Sequence, residues 1–363
     1  MSRRWKTTKI ILLSVVALLV VAVGVVLGYR AYIQHTNARR FAIHTANGID
    51  EGMYVKIGGI DQWIQIRGQN RNNPVVLCVH GGPGATWTPL TSLFLPWEKE
   101  FTVVQWDQRG AGRTLEATGA SVADTMSVDH MAQDGIELTE FLRNHLHKDK
   151  IILLGHSWGS ILGIHMVKQR PDLFYAYVGT GQVANLQKSI AIGYAFILGK
   201  ARAAGDTKAV RALERIGSPP YDSAEKIMAY FKWLGRYEGA ADRAAESSLL
   251  GRTMFGAPNF SLRDIYARNR GFFQIPTWRL YQEMLNADLP SMGTDFKVPI
   301  FFFQGMEDEV TAAPLAKAYF EEINAPHKEY VAFDGVGHFA VWSLPGKFLQ
   351  ELVARVRPLA MQP

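Results

Sequence analysis

One pentapeptide has the residue pattern of an activated serine. GHSWG (155–159) follows the apolar run IILL and precedes the apolar stretch ILGIHMV, so a strand-like segment leads through it into a helix-like one. Glycines on both sides of Ser157 permit the sharp strand-to-helix turn that lifts a serine hydroxyl out of a sheet. The helix that follows directs its positive end at charge that forms near this hydroxyl. The pattern predicts that Ser157 is a nucleophile.

A serine hydroxyl needs a base, and the chain offers a carboxylate and a histidine further on, in the order serine, acid, histidine. Asp308 follows the apolar run VPIFFFQ in GMED, and His338 follows EYVAFDG in GVGH. His338 would take the serine proton and return it to the leaving group, while Asp308 would fix the imidazole tautomer. Glu307 and Glu309 flank Asp308 and remain alternatives for the acid.

The segment HGGPG (80–84) is predicted to supply part of an oxyanion hole. A tetrahedral intermediate needs N–H donors for its oxyanion, and a glycine-rich loop lets the backbone approach the substrate closely. We expect one donor to be the N–H of Trp158, directly after the nucleophile, and the other to be Gly82, because Pro83 has no N–H. The segment has neither the Walker nor the Rossmann glycine spacing, so a phosphate-binding loop is not expected.

Strands that alternate with helices must position these residues. Near-continuous apolar runs predict an α/β fold with a mostly parallel sheet and helices on both faces, in two parts over 46–184 and 296–363. The alternation stops at about residue 185, and the intervening stretch 185–295 is helical and rich in aromatic residues. We expect this stretch to be a helical cap over the carboxyl edge of the sheet, where ligands bind in such folds.

The N-terminus predicts a membrane anchor. Residues 10–29 carry no charge and are long enough, as a helix, to cross a bilayer. The run is longer than the apolar part of a typical signal peptide, so we favour an uncleaved transmembrane helix over a cleaved signal. Residues 1–9 form a basic flank, and 30–45 are predicted to be a tether. The charge asymmetry favours a cytoplasmic N-terminus with the catalytic domain outside, in a periplasm or extracellular space.

Charge and cysteine content exclude several function classes. The net charge of +6 comes from the first 40 residues, which hold seven basic and no acidic side chains and leave 32 basic against 33 acidic in the rest. The globular part therefore has no compositional support for nucleic-acid binding. A single cysteine, Cys78, excludes an internal disulfide and cysteine-rich zinc modules. No histidine pair has the HExxH spacing, so neither a metal nor another cofactor is expected.

Five motifs in this order, HGGPG, WDQRGAGRT, GHSWGS, GMED and GVGHF, resemble the proline iminopeptidases of the α/β-hydrolase superfamily. The resemblance covers about residues 50–355. It implies an α/β-hydrolase fold with a helical canopy, and release of an N-terminal residue, often proline, from short peptides. It also implies the triad Ser157, Asp308 and His338, with Gly82 and Trp158 at the oxyanion.

The same resemblance implies a carboxylate in the cap for the free amine of the substrate. The stretch LGRYEG (234–239) matches the W-S-R-W-E-G pattern of the family except that Leu234 and Tyr237 replace its tryptophans, which makes Glu238 the candidate. An ammonium that enters a dry pocket needs such a partner. A second acidic contact remains open among three glutamates, Glu214, Glu225 and Glu246.

Two other functions remain alternatives. The same triad could serve an esterase or amidase that acts on small acyl substrates. The lining of the cap would decide between this function and that of an aminopeptidase. A binding module without catalysis is a third hypothesis, but such modules usually lack a triad residue, and all three are present. In the DQRG stretch, Asp107 and Arg109 are predicted to hold the oxyanion loop in place and not to contact substrate.

Overall fold

The computed structural model describes residues 3–237, 239–248, 251, 253–258, 260–275 and 278–361. The strands of this part of the chain form one sheet. They are β1 (Ile49–Ile57), β2 (Ile60–Gly68), β3 (Val75–Val79), β4 (Thr102–Asp107), β5 (Ile151–His156), β6 (Phe174–Thr180), β7 (Ile300–Gly305) and β8 (Lys328–Phe333).

The α-helices of the described residues alternate with these strands or lie between β6 and β7. They are α1 (Arg3–Arg40), α2 (Thr91–Phe94), α3 (Gly112–Thr118), α4 (Val128–Leu146), α5 (Trp158–Gln169), α6 (Leu186–Ala203), α7 (Thr207–Ile216), α8 (Ala224–Tyr237), α9 (Ala240–Ser248), α10 (Leu262–Phe273), α11 (Trp278–Leu285), α12 (Ala313–Glu322), α13 (Ala340–Ser343) and α14 (Pro345–Glu351). A π-helix over Leu352–Val356 continues α14.

The sheet is mixed, in the order β1-β2-β4-β3-β5-β6-β7-β8. β1 and β2 form an antiparallel hairpin at Gly58-Gly59, and β2 also runs antiparallel to β4. From β4 to β8 every neighbouring pair is parallel, and every residue of β3, β5 and β7 is buried. The carboxyl ends of the parallel strands therefore meet at one edge of the sheet.

Both faces of the sheet are covered, as the apolar strand sequences predict. Alternate residues of β3 belong to two separate core clusters: Leu77 packs with residues of α4 and α5, and Cys78 packs with residues of α14 such as Phe348. Neighbouring side chains of a strand point to opposite faces, so the two clusters lie on the two sides of the sheet. The expected α/β fold with helices on both faces is confirmed.

The helix α1 differs from the sequence-based expectation at its carboxyl end. The sequence predicts a tether from residue 30, but the helix continues to Arg40. Arg30, Gln34 and Asn37 lie on one side of this extension at spacings of four and three residues. They donate hydrogen bonds to backbone carbonyls of the segment 256–260, among them Gln34 to Ala257 O and Asn37 to Gly256 O at 2.8 Å each. These contacts explain why residues 30–40 are ordered as helix.

The preceding part of α1 is exposed along its apolar length, from Ile10 to Leu27. Among the described residues, this helix alone is long and apolar enough to cross a membrane, with a mean hydropathy of 3.3 over its most apolar stretch. A signal sequence passes the same test of length and composition.

Candidate active site

Ser157 lies at a strained turn between β5 and α5. Its φ of 54° and ψ of −121° are unusual for a residue with a side chain. A Cβ atom on Gly159 would lie 2.1 Å from Val79 O, and one on Gly155 would lie 2.6 Å from Gly159 O. Both positions therefore require glycine, and the close approach of α5 to the end of β3 fixes the place of Ser157.

His338 and Asp308 form a buried pair at the ends of two neighbouring strands. The Nδ1 atom of His338 lies 3.0 Å from Asp308 Oδ2, and Asp308 rather than Glu307 or Glu309 makes this contact. Asp308 also accepts hydrogen bonds from the backbone N–H and the hydroxyl of Thr311 at 2.9 and 2.7 Å. Burial would raise the pKa of Asp308, but the charge of His338 and these hydrogen bonds lower it to about 2.

Backbone contacts join the turn that carries Asp308 to the turn that carries His338. The N–H of Met306 donates to Phe333 O, and that of Glu307 donates to Val336 O, both at 3.0 Å. A Cβ on Gly305, at the end of β7, would lie only 2.0 Å from the carbonyl oxygen of Gly337. The distance between the acid and the histidine is therefore set by two loops in direct backbone contact.

The predicted oxyanion segment lies beside the serine. Gly81, Gly82 and Trp158 line the same cavity as Ser157. Gly82 has a φ of +118°, and a Cβ there would lie 2.6 Å from the N atom of Gly84. Glycine is thus required at the position predicted to donate its N–H to an oxyanion.

Side chains of the DQRG stretch connect the oxyanion segment to its surroundings. Buried Asp107 accepts hydrogen bonds from the hydroxyls of Thr86 and Thr88 and, at 2.8 Å, from the N–H of Arg113. Burial raises the pKa of Asp107 to about 6, although these hydrogen bonds oppose the shift. Asp107 therefore anchors the loop, as expected. Arg109 instead pairs with a carboxylate of α4, donating from Nε to Asp134 Oδ2 at 2.8 Å.

Two residues that were not predicted to have a role connect segments around the site. Gln108 donates to His80 O at 2.9 Å and accepts from the indole N–H of Trp158 at 3.1 Å, so it bridges the oxyanion segment and the serine turn. Asp242 on α9 is buried and accepts from the Ser343 hydroxyl at 2.8 Å. The family pattern WDQRG contained Gln108, whereas nothing in the spacing of Asp242 indicated its contact.

A cavity of about 820 Å³ opens over these groups, within the range of small-ligand sites. Ser157 and His338 line its sheet side, and cap helices α8, α10 and α11 line the other, with Phe231, Phe272 and Tyr281 among the contributors. Most of the lining is apolar. Within the described part of the chain, no group of His, Cys, Asp or Glu side chains is arranged to hold a metal ion.

Of the predicted amine-binding carboxylates, those that the structure describes do not line this cavity. Glu238 lies outside the described residues, as does the side chain of Glu246. Glu214 pairs with Arg202 at 3.2 Å on the surface, and Glu225 is exposed in the first turn of α8. Neither of these two glutamates is among the residues that line the cavity.

Comparison with known proteins supports the fold and the resemblance noted above. A family model described as alpha/beta hydrolase fold matches residues 74–345. The chain is 32% identical to a probable aminopeptidase YbaC of Bacillus subtilis over 313 residues, covering 84% of this chain and 95% of that protein. A proline iminopeptidase of Saccharolobus solfataricus is 25% identical over 337 residues, covering 86% and 95% of the two chains.

A solved structure shares the fold at lower sequence identity. The proline iminopeptidase-related protein from Thermus thermophilus superposes with a TM-score of 0.62 at 18% identity, covering 86% of this chain and 99% of the other. The identity to the Bacillus protein extends over nearly all of that relative, and the family match spans the serine turn and both loops of the acid–histidine pair. The chain therefore belongs to the proline iminopeptidase family of the α/β-hydrolase superfamily and is a serine hydrolase of the aminopeptidase type.

Proposed function

We propose that this protein releases N-terminal residues, proline among them, from short peptides through an acyl-enzyme on Ser157. The observation that carries the proposal is one cavity lined by both Ser157, at its strained turn, and His338, paired with Asp308. The names of the relatives, an aminopeptidase and proline iminopeptidases, support the same chemistry.

In the proposed reaction, His338 removes the hydroxyl proton of Ser157 as the oxygen attacks the scissile carbonyl. The N–H groups of Gly82 and Trp158 stabilise the oxyanion, a contribution of about 3–4 kcal/mol for one donor in a comparable protease. The imidazolium then protonates the leaving amine, and the acyl group stays on Ser157. Water, deprotonated by His338, releases the N-terminal residue. Asp308 stays ionised because its pKa is about 2, so it stabilises the imidazolium throughout.

We further propose that Glu238 binds the free amine of the substrate. This residue directly follows α8, whose residues Met228, Lys232 and Gly235 line the cavity. Its place in the family pattern and the need of a buried ammonium for a carboxylate support the assignment. The proposal would make a free N-terminus a requirement for cleavage.

The N-terminal helix is proposed to be an uncleaved anchor over residues 10–29, with the catalytic domain outside the cytoplasm. Its exposed apolar surface and the basic flank before it support an anchor in this orientation. Gln34 and Asn37 donate hydrogen bonds to the cap segment from the last turns of α1. Cleavage near residue 29 would leave only a short helix to hold these contacts, and short helices are marginally stable, so the contacts support retention of the whole helix.

The test uses full-length protein in detergent. A fluorogenic prolyl amide, its N-acetylated twin and a small aryl ester are compared for wild type, Ser157→Ala and a matched control, Ser291→Ala. Ser291 is exposed and hydrogen-bonds Asp288 O. Hydrolysis of the free-amine substrate alone, lost only in Ser157→Ala, is the expected result.

The same assay tests the esterase alternative. The mostly apolar lining, without a described carboxylate, is the observation that favours neutral acyl substrates. If both amides are inert while the ester turns over through Ser157, the peptidase proposal is wrong and an esterase remains.

A further inference from the structure

The cap places two cations on the wall of the catalytic cavity. Lys232 on α8 and Arg268 on α10 line the same cavity as Ser157 and His338. They are the only charged side chains in the lining besides the histidines, as far as the described residues go, and no described Asp or Glu joins them. The described part of this wall therefore carries two cationic side chains and no acidic one.

The position of each cation follows from its helix. Met228, Lys232 and Gly235 lie at spacings of four and three residues, which places them on one side of α8, the side that lines the cavity. Arg268 and Phe272 are four residues apart on α10 and line it as well. Helix geometry thus places both cations on the sides of α8 and α10 that line the cavity.

The charge of Arg268 reaches the oxyanion segment. His80, the first residue of HGGPG, is fully buried, and burial lowers its pKa to about 4, with Arg268 acting in the same direction. Arg268 is therefore near enough to His80 to disfavour a charge on its imidazole.

The two other cations of α8 are paired with acidic side chains. Lys226 lies 2.8 Å from Asp222, and Arg236 lies 2.9 Å from Asp206. Lys232, on the same helix as both, makes no ion pair with any described residue. Lys232 is exposed and also lines the cavity, whose lining is mostly apolar, and there an anion of the substrate would be a favourable partner.

We propose that Lys232 and Arg268 form a subsite for the C-terminal carboxylate of di- and tripeptides. The inference rests on the proposed peptidase function, in which the C-terminus is the one anion that every short peptide carries on the leaving-group side. A guanidinium can bind a carboxylate through two parallel hydrogen bonds, and the lysine adds a second positive charge. The enzyme would then select peptides by length, because a longer chain cannot place its carboxylate in the cavity.

The test compares a prolyl dipeptide with its C-terminal amide on the full-length protein at low ionic strength. We expect kcat/KM to be on the order of tenfold to a hundredfold higher for the free acid, the equivalent of a charge-assisted hydrogen bond. Lys232→Gln and Arg268→Gln should each bring this ratio toward one, mainly through KM. Arg268→Lys should retain part of the preference, and Lys226→Gln, the matched control outside the cavity, should leave the ratio unchanged.

A binding measurement tests the subsite independently of the proposed catalytic function. Calorimetric titration of Ser157→Ala with the dipeptide and its amide should show tighter binding of the free acid, a preference that Arg268→Gln weakens. Equal affinities together with equal kcat/KM values would overturn the subsite and leave the peptidase intact. If no peptide is hydrolysed but the free acid still binds more tightly, the proposed function is wrong and the subsite stands.

Discussion

Gly305 offers a sharp test of how the acid and the histidine are held together. A Cβ on this residue would lie 2.0 Å from Gly337 O and 2.7 Å from Val336 O, both backbone atoms of the loop that carries His338. Real Cβ contacts are essentially never below 3.0 Å, so the two loops must separate by about 1 Å in Gly305→Ala. The hydrogen bond between His338 and Asp308, now 3.0 Å, would lengthen with them.

The expected loss follows from that displacement. A misplacement of about 1 Å near the chemistry costs on the order of 10²-fold in rate, and overpacking a close-packed position costs about 1–3 kcal/mol of stability. Gly305→Ala should therefore lower kcat about a hundredfold with little change in KM, because the displaced group acts on the proton of Ser157. The melting temperature should also fall by several degrees.

Steady-state kinetics with the prolyl amide and thermal unfolding measure both effects. The matched control is Gly346→Ala in α14, where an added Cβ meets nothing within 4 Å. This control should keep its kcat/KM and gain about 0.5–1 kcal/mol, since alanine favours a helix over glycine. A folded Gly305→Ala protein with wild-type kcat would refute the argument that backbone contact between the loops sets the geometry of the pair.

Three further perturbations have expected outcomes. Because the folded pKa of Asp308 is depressed to about 2, its stabilising contribution is present above about pH 4 and is lost as the pH falls toward 2. Acid titrations of unfolding should show wild type losing stability relative to Asp308→Asn in that window, and equal acid profiles would contradict the pairing. At neutral pH, Asp308→Asn should lose about 10⁴-fold in kcat, as in a comparable triad. Gln34→Ala removes hydrogen bonds of 2.8 Å to Ala257 O and Phe260 O, so hydrogen exchange around Ala257 should accelerate by a factor that corresponds to about 1–2 kcal/mol, whereas Thr36→Ala should not change it. Cys78 is buried and burial raises its thiol pKa, so iodoacetamide should label it only after unfolding, and rapid labelling of the native protein would contradict that burial.

The sequence predicted the parts of the site that depend on local rules. The serine turn follows from two glycines between an apolar strand and an apolar helix. The acid and the histidine follow from loops after two strands, because parallel strands end at one edge of a sheet. Each of these inferences needs only a few consecutive residues and the order of the elements.

The remaining features depend on contacts between distant parts of the chain. Gln108 bridges Trp158, 50 residues away, and Asp242 contacts Ser343, 101 residues away; a single sequence holds no spacing rule for such pairs. The extension of α1 was missed for a related reason. Arg30, Gln34 and Asn37 have helical spacing, but the carbonyls that accept their hydrogen bonds lie more than 200 residues downstream.

The continuous helix α1 also determines how the catalytic domain would stand on a bilayer. The helix runs unbroken from its apolar stretch to the residues that contact the cap. No flexible linker therefore separates a membrane span over residues 10–29 from the catalytic domain. Gln34 lies about 8 Å of helix rise beyond Tyr29, where the proposed span ends. The cap segment that it holds includes Ala257, and Met254 in the adjoining turn lines the cavity. With α1 in a membrane, the side of the cavity that Met254 lines would be kept close to the headgroups, and the enzyme would sample the thin layer of solution next to the lipid surface.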